Sequence, residues 1–81
     1  MNPTLVADDS RVMRRIIIRA LEGVGITNVV EANDGEEALA EFAKQQFALV
    51  LTDWNMPKKN GLEVIQGCRA SDPNVPIIMI T

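Results

Sequence analysis

The chain has 81 residues, 47% of them hydrophobic, and a formal net charge of -3, which is enough for one small domain. The acidic balance argues against non-specific nucleic-acid binding, and its longest apolar runs, such as Ile77–Ile80, are far too short to span a bilayer. The first 15 residues lack the apolar core of a signal peptide and Cys68 has no second cysteine to pair with, which together favour a cytoplasmic location.

The first predicted elements are a strand and a helix. Thr4–Ala7 is an apolar run closed by Asp8 and Asp9, after which Ser10 can cap a helix that extends to Glu22. Three consecutive isoleucines could also form a strand, but an apolar period of three and four residues spans about three turns and favours the helix. Its apolar positions are Val12, Met13, Ile16, Ile17, Ala20 and Leu21, and Gly23 and Gly25 supply the stop.

The remaining elements alternate in the same way. Asn28–Ala32 and Phe47–Thr52 are the next predicted strands, and Ile77–Ile80 is the last, following the break at Asp72–Pro76. Two pairs with capping-box spacing, Asp34 with Glu37 and Asn60 with Glu63, predict helix starts. We expect Ala38, Leu39 and Phe42 on the inner face of the second helix, and Leu62, Ile65 and Cys68 on that of the third.

The pattern βαβαβαβ predicts an α/β fold in which a parallel sheet carries helices on both faces. The last two strands are nearly continuous apolar runs, which is typical of strands buried on both sides. Because no helix follows the final strand to cover it, we expect an exposed edge there and interpret the chain as C-terminally truncated.

Acidic residues follow the first and third predicted strands. If these strands are parallel neighbours, Asp8, Asp9 and Asp53 meet at one edge of the sheet. Three adjacent carboxylates repel one another, and hard divalent cations take oxygen ligands, so the cluster predicts a Mg²⁺ site. Paired aspartates at a strand end are, by themselves, more often solvated loop residues or helix caps.

Six segments occur in an order and spacing that are together highly specific: Val6–Ser10, Met13–Ile16, Glu31–Leu39, Thr52–Pro57, Asn60–Glu63 and Pro76–Thr81. They resemble the receiver domain of two-component response regulators, especially the single-domain, CheY-like chemotaxis regulators. The resemblance implies a truncated flavodoxin-like doubly wound sheet with strand order 2-1-3-4. It also implies that residues 1–81 are the N-terminal portion of one receiver domain and that the last helix-strand-helix of the family is missing.

The resemblance also implies roles for individual residues. Asp53 becomes the phosphoacceptor, and Mg²⁺ is held by Asp8, Asp9, Asp53 and the backbone carbonyl of Asn55. The Thr81 hydroxyl is expected to hydrogen-bond the phosphoryl group, and Met56 and Pro57 to shape the loop. Lys58 and Lys59 lie in a different loop from the lysine that pairs with the phosphoryl group in the family, so phosphorylation is expected to be impaired.

The implied partners are a histidine kinase as phosphodonor and, in the intact protein, the flagellar motor or another output target. The implied activity is self-catalysed phosphorylation and dephosphorylation, not that of an enzyme. A structural half-domain that forms a homodimer and keeps a vestigial site is the alternative. An aspartyl-phosphate phosphohydrolase would need Asp-x-Asp, whereas Asp8 and Asp9 are adjacent.

Several other residues have simpler interpretations. The four arginines of the first helix, Arg11, Arg14, Arg15 and Arg19, could suggest a phosphate-binding face, but the apolar spacing of the helix favours its solvated side for them. Cys68 is expected in the core. Trp54 could dock a partner or pack partly on the site. Gly23 and Gly25 follow a helix and lack a third glycine, so a dinucleotide site is not predicted.

Overall fold

A computed structural model describes residues 2–80. Four strands and three helices alternate along the chain, in the order β1 Thr4–Ala7, α1 Arg11–Gly23, β2 Val29–Ala32, α2 Gly35–Phe42, β3 Leu49–Asp53, α3 Gly61–Ser71 and β4 Ile77–Ile80. All strand pairs are parallel and the sheet order is β2-β1-β3-β4. The predicted α/β fold and its strand order 2-1-3-4 are confirmed.

Each helix begins at a residue whose side chain accepts a hydrogen bond from the first turn. Ser10 Oγ accepts from the Met13 amide at 3.2 Å, and Asp34 Oδ1 accepts from the Glu37 amide at 2.7 Å. At α3 the capping box is complete, since Asn60 and Glu63 exchange two hydrogen bonds of 3.0 Å. These caps fix where α1, α2 and α3 begin, just beyond the edge of the sheet at which β1 and β3 end.

The core has two layers, one on each face of the sheet. The larger layer lies beneath α2 and α3 and includes Leu5, Val50, Val64 and Cys68, all 0% exposed. The smaller lies beneath α1 and consists of Val6, Leu21 and Leu51, with Ile17, Ile26, Val29, Leu49 and Ile80 packed partly against it. Opposite faces of β1 and β3 therefore supply both layers, as expected for strands in the middle of a doubly wound sheet.

The structure corrects the inner face that was predicted for α3. Leu62 is 44% exposed, whereas Val64 and Cys68 are fully buried. Gly61, Val64 and Cys68 form the buried i, i+3, i+7 row of this helix, which places Leu62 at its rim. A buried glycine carries no hydropathy signal, so the apolar pattern pointed to the neighbouring row.

Two strands also begin later than predicted. β2 begins at Val29 instead of Asn28, and β3 at Leu49 instead of Phe47. The Phe47 ring instead stacks on Phe42 at the end of α2, with ring centroids 5.6 Å apart and an interplanar angle of 12°. Phe47 thus belongs to the core as a residue that closes the α2–β3 turn.

Apolar side chains remain exposed on α1 and β4. Val12 and Ile16 are 69% and 55% exposed, whereas Leu21 is buried against the sheet. The prediction that β4 is buried on both sides is wrong, since it lies at the end of the strand order and Ile78 is 52% exposed. The expected edge strand is confirmed. Across residues 2–80 the helices are all too short or too polar to cross a membrane.

Candidate metal centre

Three carboxylates converge at the edge of the sheet where β1 and β3 end. The parallel register pairs Ala7 with Thr52, so the residues that follow them, Asp8 and Asp53, lie side by side. One oxygen each from Asp8, Asp9 and Asp53 lies within 4.8 Å of the other two. The structure therefore brings together the three aspartates singled out from the sequence.

Asp8 is the innermost of the three, with only 4% of its surface exposed. Its Oδ1 accepts a hydrogen bond of 2.8 Å from the Ser10 amide. Burial raises the pKa of Asp8, and the negative charges of Asp53 and Asp9 raise it further, against the opposing effects of the Ser10 hydrogen bond and the Arg14 charge. When all three carboxylates are ionised they repel one another, and a bound cation would relieve this repulsion.

Asp53 and Asp9 form the outer side of the cluster. Asp53 is half-buried and its Oδ1 accepts a 2.8 Å hydrogen bond from the Trp54 amide, which fixes the carboxylate relative to its own backbone. Asp9 is exposed. The cluster is therefore closed on the side of the core, at Asp8, and open toward solvent at Asp9 and Asp53, where a reactant can approach.

The donor set suits a hard divalent cation. All the convergent side chains are carboxylates, and Mg²⁺ prefers oxygen ligands in an octahedral arrangement while keeping several waters. Three carboxylates on one open edge leave coordination positions for water and for an incoming anion. By their chemistry the residues present fit Mg²⁺.

The loop that follows β3 carries the other predicted site residues within the described range. Asn55 and Pro57 are exposed, whereas Met56 is half-buried and packs against the core layer beneath α2 and α3. The Pro57 carbonyl accepts a 2.8 Å hydrogen bond from the Lys59 amide, which forms a tight turn. Trp54 is 41% exposed beside Asp53. Thr81 lies outside the described residues.

Arg14 has a place at the site that the sequence analysis missed. Its Nη1 donates a 2.6 Å hydrogen bond to the Asp8 carbonyl, and its Nε donates a 3.0 Å hydrogen bond to Glu31 Oε1. Only 13% of the Arg14 side chain is exposed, so its expected position on the solvated side is wrong. The other arginines of α1, Arg11, Arg15 and Arg19, are exposed as predicted. A signal was present, since Arg14 lies one turn into the helix that follows the acidic pair.

Residues 4–81 match the family of response regulator receiver domains. This chain belongs to that family. Receiver domains are signalling domains that bind Mg²⁺ at an acidic cluster, and here the corresponding cluster is formed by Asp8, Asp9 and Asp53. The predicted resemblance is confirmed.

Similar proteins include chemotaxis regulators. The chain is 39% identical to the chemotaxis protein CheY of Pseudomonas aeruginosa and 45% identical to CheY1 of Helicobacter pylori, each over 95% of the chain. It spans 64% of the length of both relatives and 61% of CheY-3 of Vibrio cholerae. The likeness to chemotaxis-type regulators therefore rests on somewhat less than two thirds of their length.

Solved structures agree with this assignment. The response regulator TrrA of Thermotoga maritima in complex with Mg²⁺ and BeF matches with a TM-score of 0.90 and 34% identity, over 98% of this chain and 68% of that one. The CheY4 structure of Vibrio cholerae matches with a TM-score of 0.89 and 34% identity, over 98% and 67%. The fold described above is that of a CheY-like receiver domain.

Proposed function

We propose that the chain is the phosphoacceptor part of a chemotaxis-type response regulator and that Asp53 receives a phosphoryl group from a histidine kinase. The observation that carries this proposal is the convergence of Asp8, Asp9 and Asp53 within 4.8 Å at the carboxyl edge of the sheet. Family membership supports the same assignment, because receiver domains are signalling domains.

The Asp53 carboxylate acts as the nucleophile. One Asp53 carboxylate oxygen accepts the hydrogen bond from the Trp54 amide, and the other forms the new bond to phosphorus. At the same time the bond between phosphorus and the donor histidine nitrogen breaks, and that nitrogen keeps the electron pair. Asp8, Asp9, Asp53 and the Asn55 carbonyl are the proposed ligands of Mg²⁺, which when bound supplies charge neutralisation for the transferred oxygens. The Thr81 hydroxyl is the proposed hydrogen-bond donor to the phosphoryl group.

The proposed phosphodonor is a histidine kinase in the cytoplasm. A structure of the kinase ThkA in complex with the response regulator TrrA matches this chain with a TM-score of 0.89 and 34% identity, over 100% of this chain and 69% of the matched one. The similarity to CheY proteins supports a chemotactic output, with the flagellar motor or another target as the partner of the intact protein.

We further propose that the 81-residue chain by itself is phosphorylated poorly and binds Mg²⁺ weakly. Two of the three lysines of the chain are engaged away from the site. Lys44 Nζ lies 3.1 Å from Glu41 and Lys58 Nζ lies 3.6 Å from Asp34, so both ammonium groups pair with carboxylates outside the aspartate cluster. Because Lys44 and Lys58 are engaged elsewhere, a phosphoryl group on Asp53 would depend mainly on bound Mg²⁺ for charge compensation.

Phosphorylation can be tested with a small-molecule donor. The chain is mixed with acetyl phosphate and Mg²⁺, and intact mass and Trp54 fluorescence are followed, with Asp53→Asn as the control. A gain of one phosphoryl group that is absent from Asp53→Asn supports the proposal. Beryllofluoride with Mg²⁺ provides a second probe that does not depend on the lifetime of the acyl phosphate. A folded chain that responds to neither probe even at saturating concentrations of Mg²⁺ and donor would reject the phosphoacceptor function.

A homodimer with a vestigial site is the second candidate. It is favoured by the exposed Val12 and Ile16 of α1 and by Ile78 on the edge strand β4, since apolar surfaces of this kind are commonly covered by a partner. Sedimentation velocity at micromolar concentration distinguishes the candidates. A stable, compact monomer would reject the dimer and leave the phosphoacceptor proposal unaffected.

A further inference from the structure

The loop that joins β3 to α3, residues 54–60, lies against the first residue of α2. A Cβ atom built at Gly35 would overlap the Lys59 carbonyl oxygen and would lie 2.6 Å from its carbonyl carbon and 2.7 Å from its Cβ. Contacts this short do not occur between real atoms, and two of the three involve backbone that cannot move without moving the loop. Gly35 is therefore required for the loop to approach α2 as closely as it does.

A second glycine has the same role at the other end of the loop. A Cβ atom at Gly61, the first residue of α3, would lie 2.5 Å from the Asp53 carbonyl oxygen and 2.9 Å from Met79 Sδ. The Gly61 amide also donates a 2.8 Å hydrogen bond to the Trp54 carbonyl. The start of α3 thus packs directly on the backbone of the proposed phosphoacceptor.

The loop between these two contacts is held in a demanding conformation. Lys58 has a φ of 69°, in the left-handed region that non-glycine residues seldom adopt. Its side chain pairs with Asp34, the residue that caps α2, and the Lys59 amide donates to the Pro57 carbonyl. An unfavourable backbone conformation persists only where its surroundings hold it in place.

We propose that Gly35 and Gly61 are positioning residues for the metal site. Each lets the N-terminus of a helix press on one end of the loop that carries Asn55, and together they set the position of this loop relative to the Asp53 carboxylate. This inference rests on the proposed function for its effect on Mg²⁺, but the effect on the loop itself does not depend on it. Alanine at either position displaces the loop and weakens Mg²⁺ binding by about tenfold, the size of effect typical of groups that orient metal ligands.

The test compares Gly35→Ala and Gly61→Ala with two control glycines. At Gly67 an added Cβ would lie 2.5 Å from Leu39 Cδ2, so Gly67→Ala introduces a comparable clash between α2 and α3, but against the end of a flexible side chain away from the loop. At Gly23 it would meet nothing within 4 Å. Alanine is the better helix former, so a variant without a clash is expected to keep or gain stability.

Two readouts are measured on each folded variant. Mg²⁺ affinity is followed by Trp54 fluorescence, and amide hydrogen exchange is followed at Trp54 and Gly61, whose N–H groups bond to Asp53 Oδ1 and the Trp54 carbonyl. We expect Gly35→Ala and Gly61→Ala to show weaker Mg²⁺ binding and about tenfold faster exchange at these amides. Gly67→Ala and Gly23→Ala should leave both readouts unchanged.

The outcomes separate the two proposals. Unchanged exchange and unchanged Mg²⁺ affinity in both loop-facing variants would overturn the positioning role. If the unaltered chain does not bind Mg²⁺, the proposed function fails, and the exchange measurement still decides whether the glycines position the loop.

A variant that does not fold is also informative. If Gly35→Ala is unfolded, Gly61→Ala decides the proposal, because Gly61 contacts the other end of the loop at the Asp53 carbonyl oxygen. Faster exchange at the Trp54 amide in folded Gly61→Ala supports the positioning role, and unchanged exchange overturns it.

Discussion

The guanidinium of Arg14 donates a 2.6 Å hydrogen bond to the backbone carbonyl of Asp8. Through its second bond, to Glu31, the same side chain ties the β1–α1 turn to β2. Asp8 is thereby fixed from its carbonyl by Arg14 and from its carboxylate by the Ser10 amide. The innermost carboxylate of the cluster is positioned by two hydrogen bonds from the start of α1.

Replacing Arg14 by methionine should weaken Mg²⁺ binding several-fold and lower the free energy of unfolding by about 1–2 kcal/mol, because a charged hydrogen bond to a part-buried carbonyl is lost. Isothermal titration with Mg²⁺ and urea unfolding measure the two effects. Arg15→Met is the matched control, since it removes the same charge from an exposed position of the same helix. Equal Mg²⁺ affinities in the two variants would contradict the positioning of Asp8 by Arg14.

Replacing Asp8 by asparagine should stabilise the metal-free chain at neutral pH. Asn keeps an oxygen for the Ser10 amide but removes a buried charge whose pKa is raised by burial and by its acidic neighbours. Because the pKa of Asp8 is higher in the folded chain than its ordinary value of 3.8, protonation of Asp8 favours folding. This stabilisation is complete below pH 3.8 and is lost as the pH rises through the folded-state pKa. The expected gain near pH 7 is on the order of 1 kcal/mol.

Urea unfolding in EDTA, as a function of pH, measures this gain. The difference between Asp8→Asn and the unaltered chain should shrink toward acidic pH and disappear where Asp8 is protonated in both states. A gain that stayed constant at all pH values would show that charge repulsion is not its source.

Cys68 should make the chain less stable in alkaline solution. Burial raises the pKa of its thiol from 9.0 to about 11. Between these values the thiol ionises in the unfolded chain but not in the folded one, so the free energy of unfolding should fall by about 1.4 kcal/mol per pH unit and level off above pH 11. Cys68→Ala lacks this dependence. Parallel pH profiles of the two proteins between pH 8 and 11 would contradict the prediction.

Substitutions of exposed and of buried apolar residues in α1 should have different effects on stability. Replacing Val12 and Ile16 by serine should leave the unfolding free energy within about 0.5 kcal/mol of its original value, because both side chains are largely exposed, while reducing any self-association. Leu21→Ala should cost about 3 kcal/mol, since Leu21 is buried beneath the same helix. Urea unfolding and sedimentation velocity check the two expectations, and a large stability loss in the serine variant would show that this face is packed in solution.

Local patterns of the sequence predicted the type and order of the elements, and they predicted the acidic cluster on the condition that β1 and β3 are neighbours. The Ser10 cap, two pairs with capping-box spacing and the alternation of apolar runs indicate every element to within two residues at its start, and parallel neighbours bring Asp8 and Asp53 to one edge. The strand order itself came from the family resemblance, because alternation alone does not specify which strands are neighbours. The structure has the alternation of strands and helices that the short-range apolar patterns predict.

The contacts around the cluster were not predictable in this way. The hydrogen bonds from Arg14 to Asp8 and Glu31 depend on how α1 lies across β1 and β2, which the sequence does not specify. From the sequence alone, a charged residue on a helix is expected to face solvent. The roles of Gly35 and Gly61 depend on backbone-to-backbone distances between segments up to 24 positions apart, as for Gly35 and Lys59. Leu62 was misplaced for a related reason, since the buried row of α3 begins with a glycine.

Asp8 is buried beside two other carboxylates, so the proposed Mg²⁺ binding would make the thermal stability of the chain depend on the concentration of free divalent cation. A ligand that binds only the folded state adds RT ln(1 + [L]/Kd) to the unfolding free energy, about 2.7 kcal/mol at a hundredfold excess over Kd. If Mg²⁺ binds as proposed, the melting temperature would depend on the ionic composition of the medium as well as on the sequence, and after calibration against buffered Mg²⁺ it would report the occupancy of the cluster without any label.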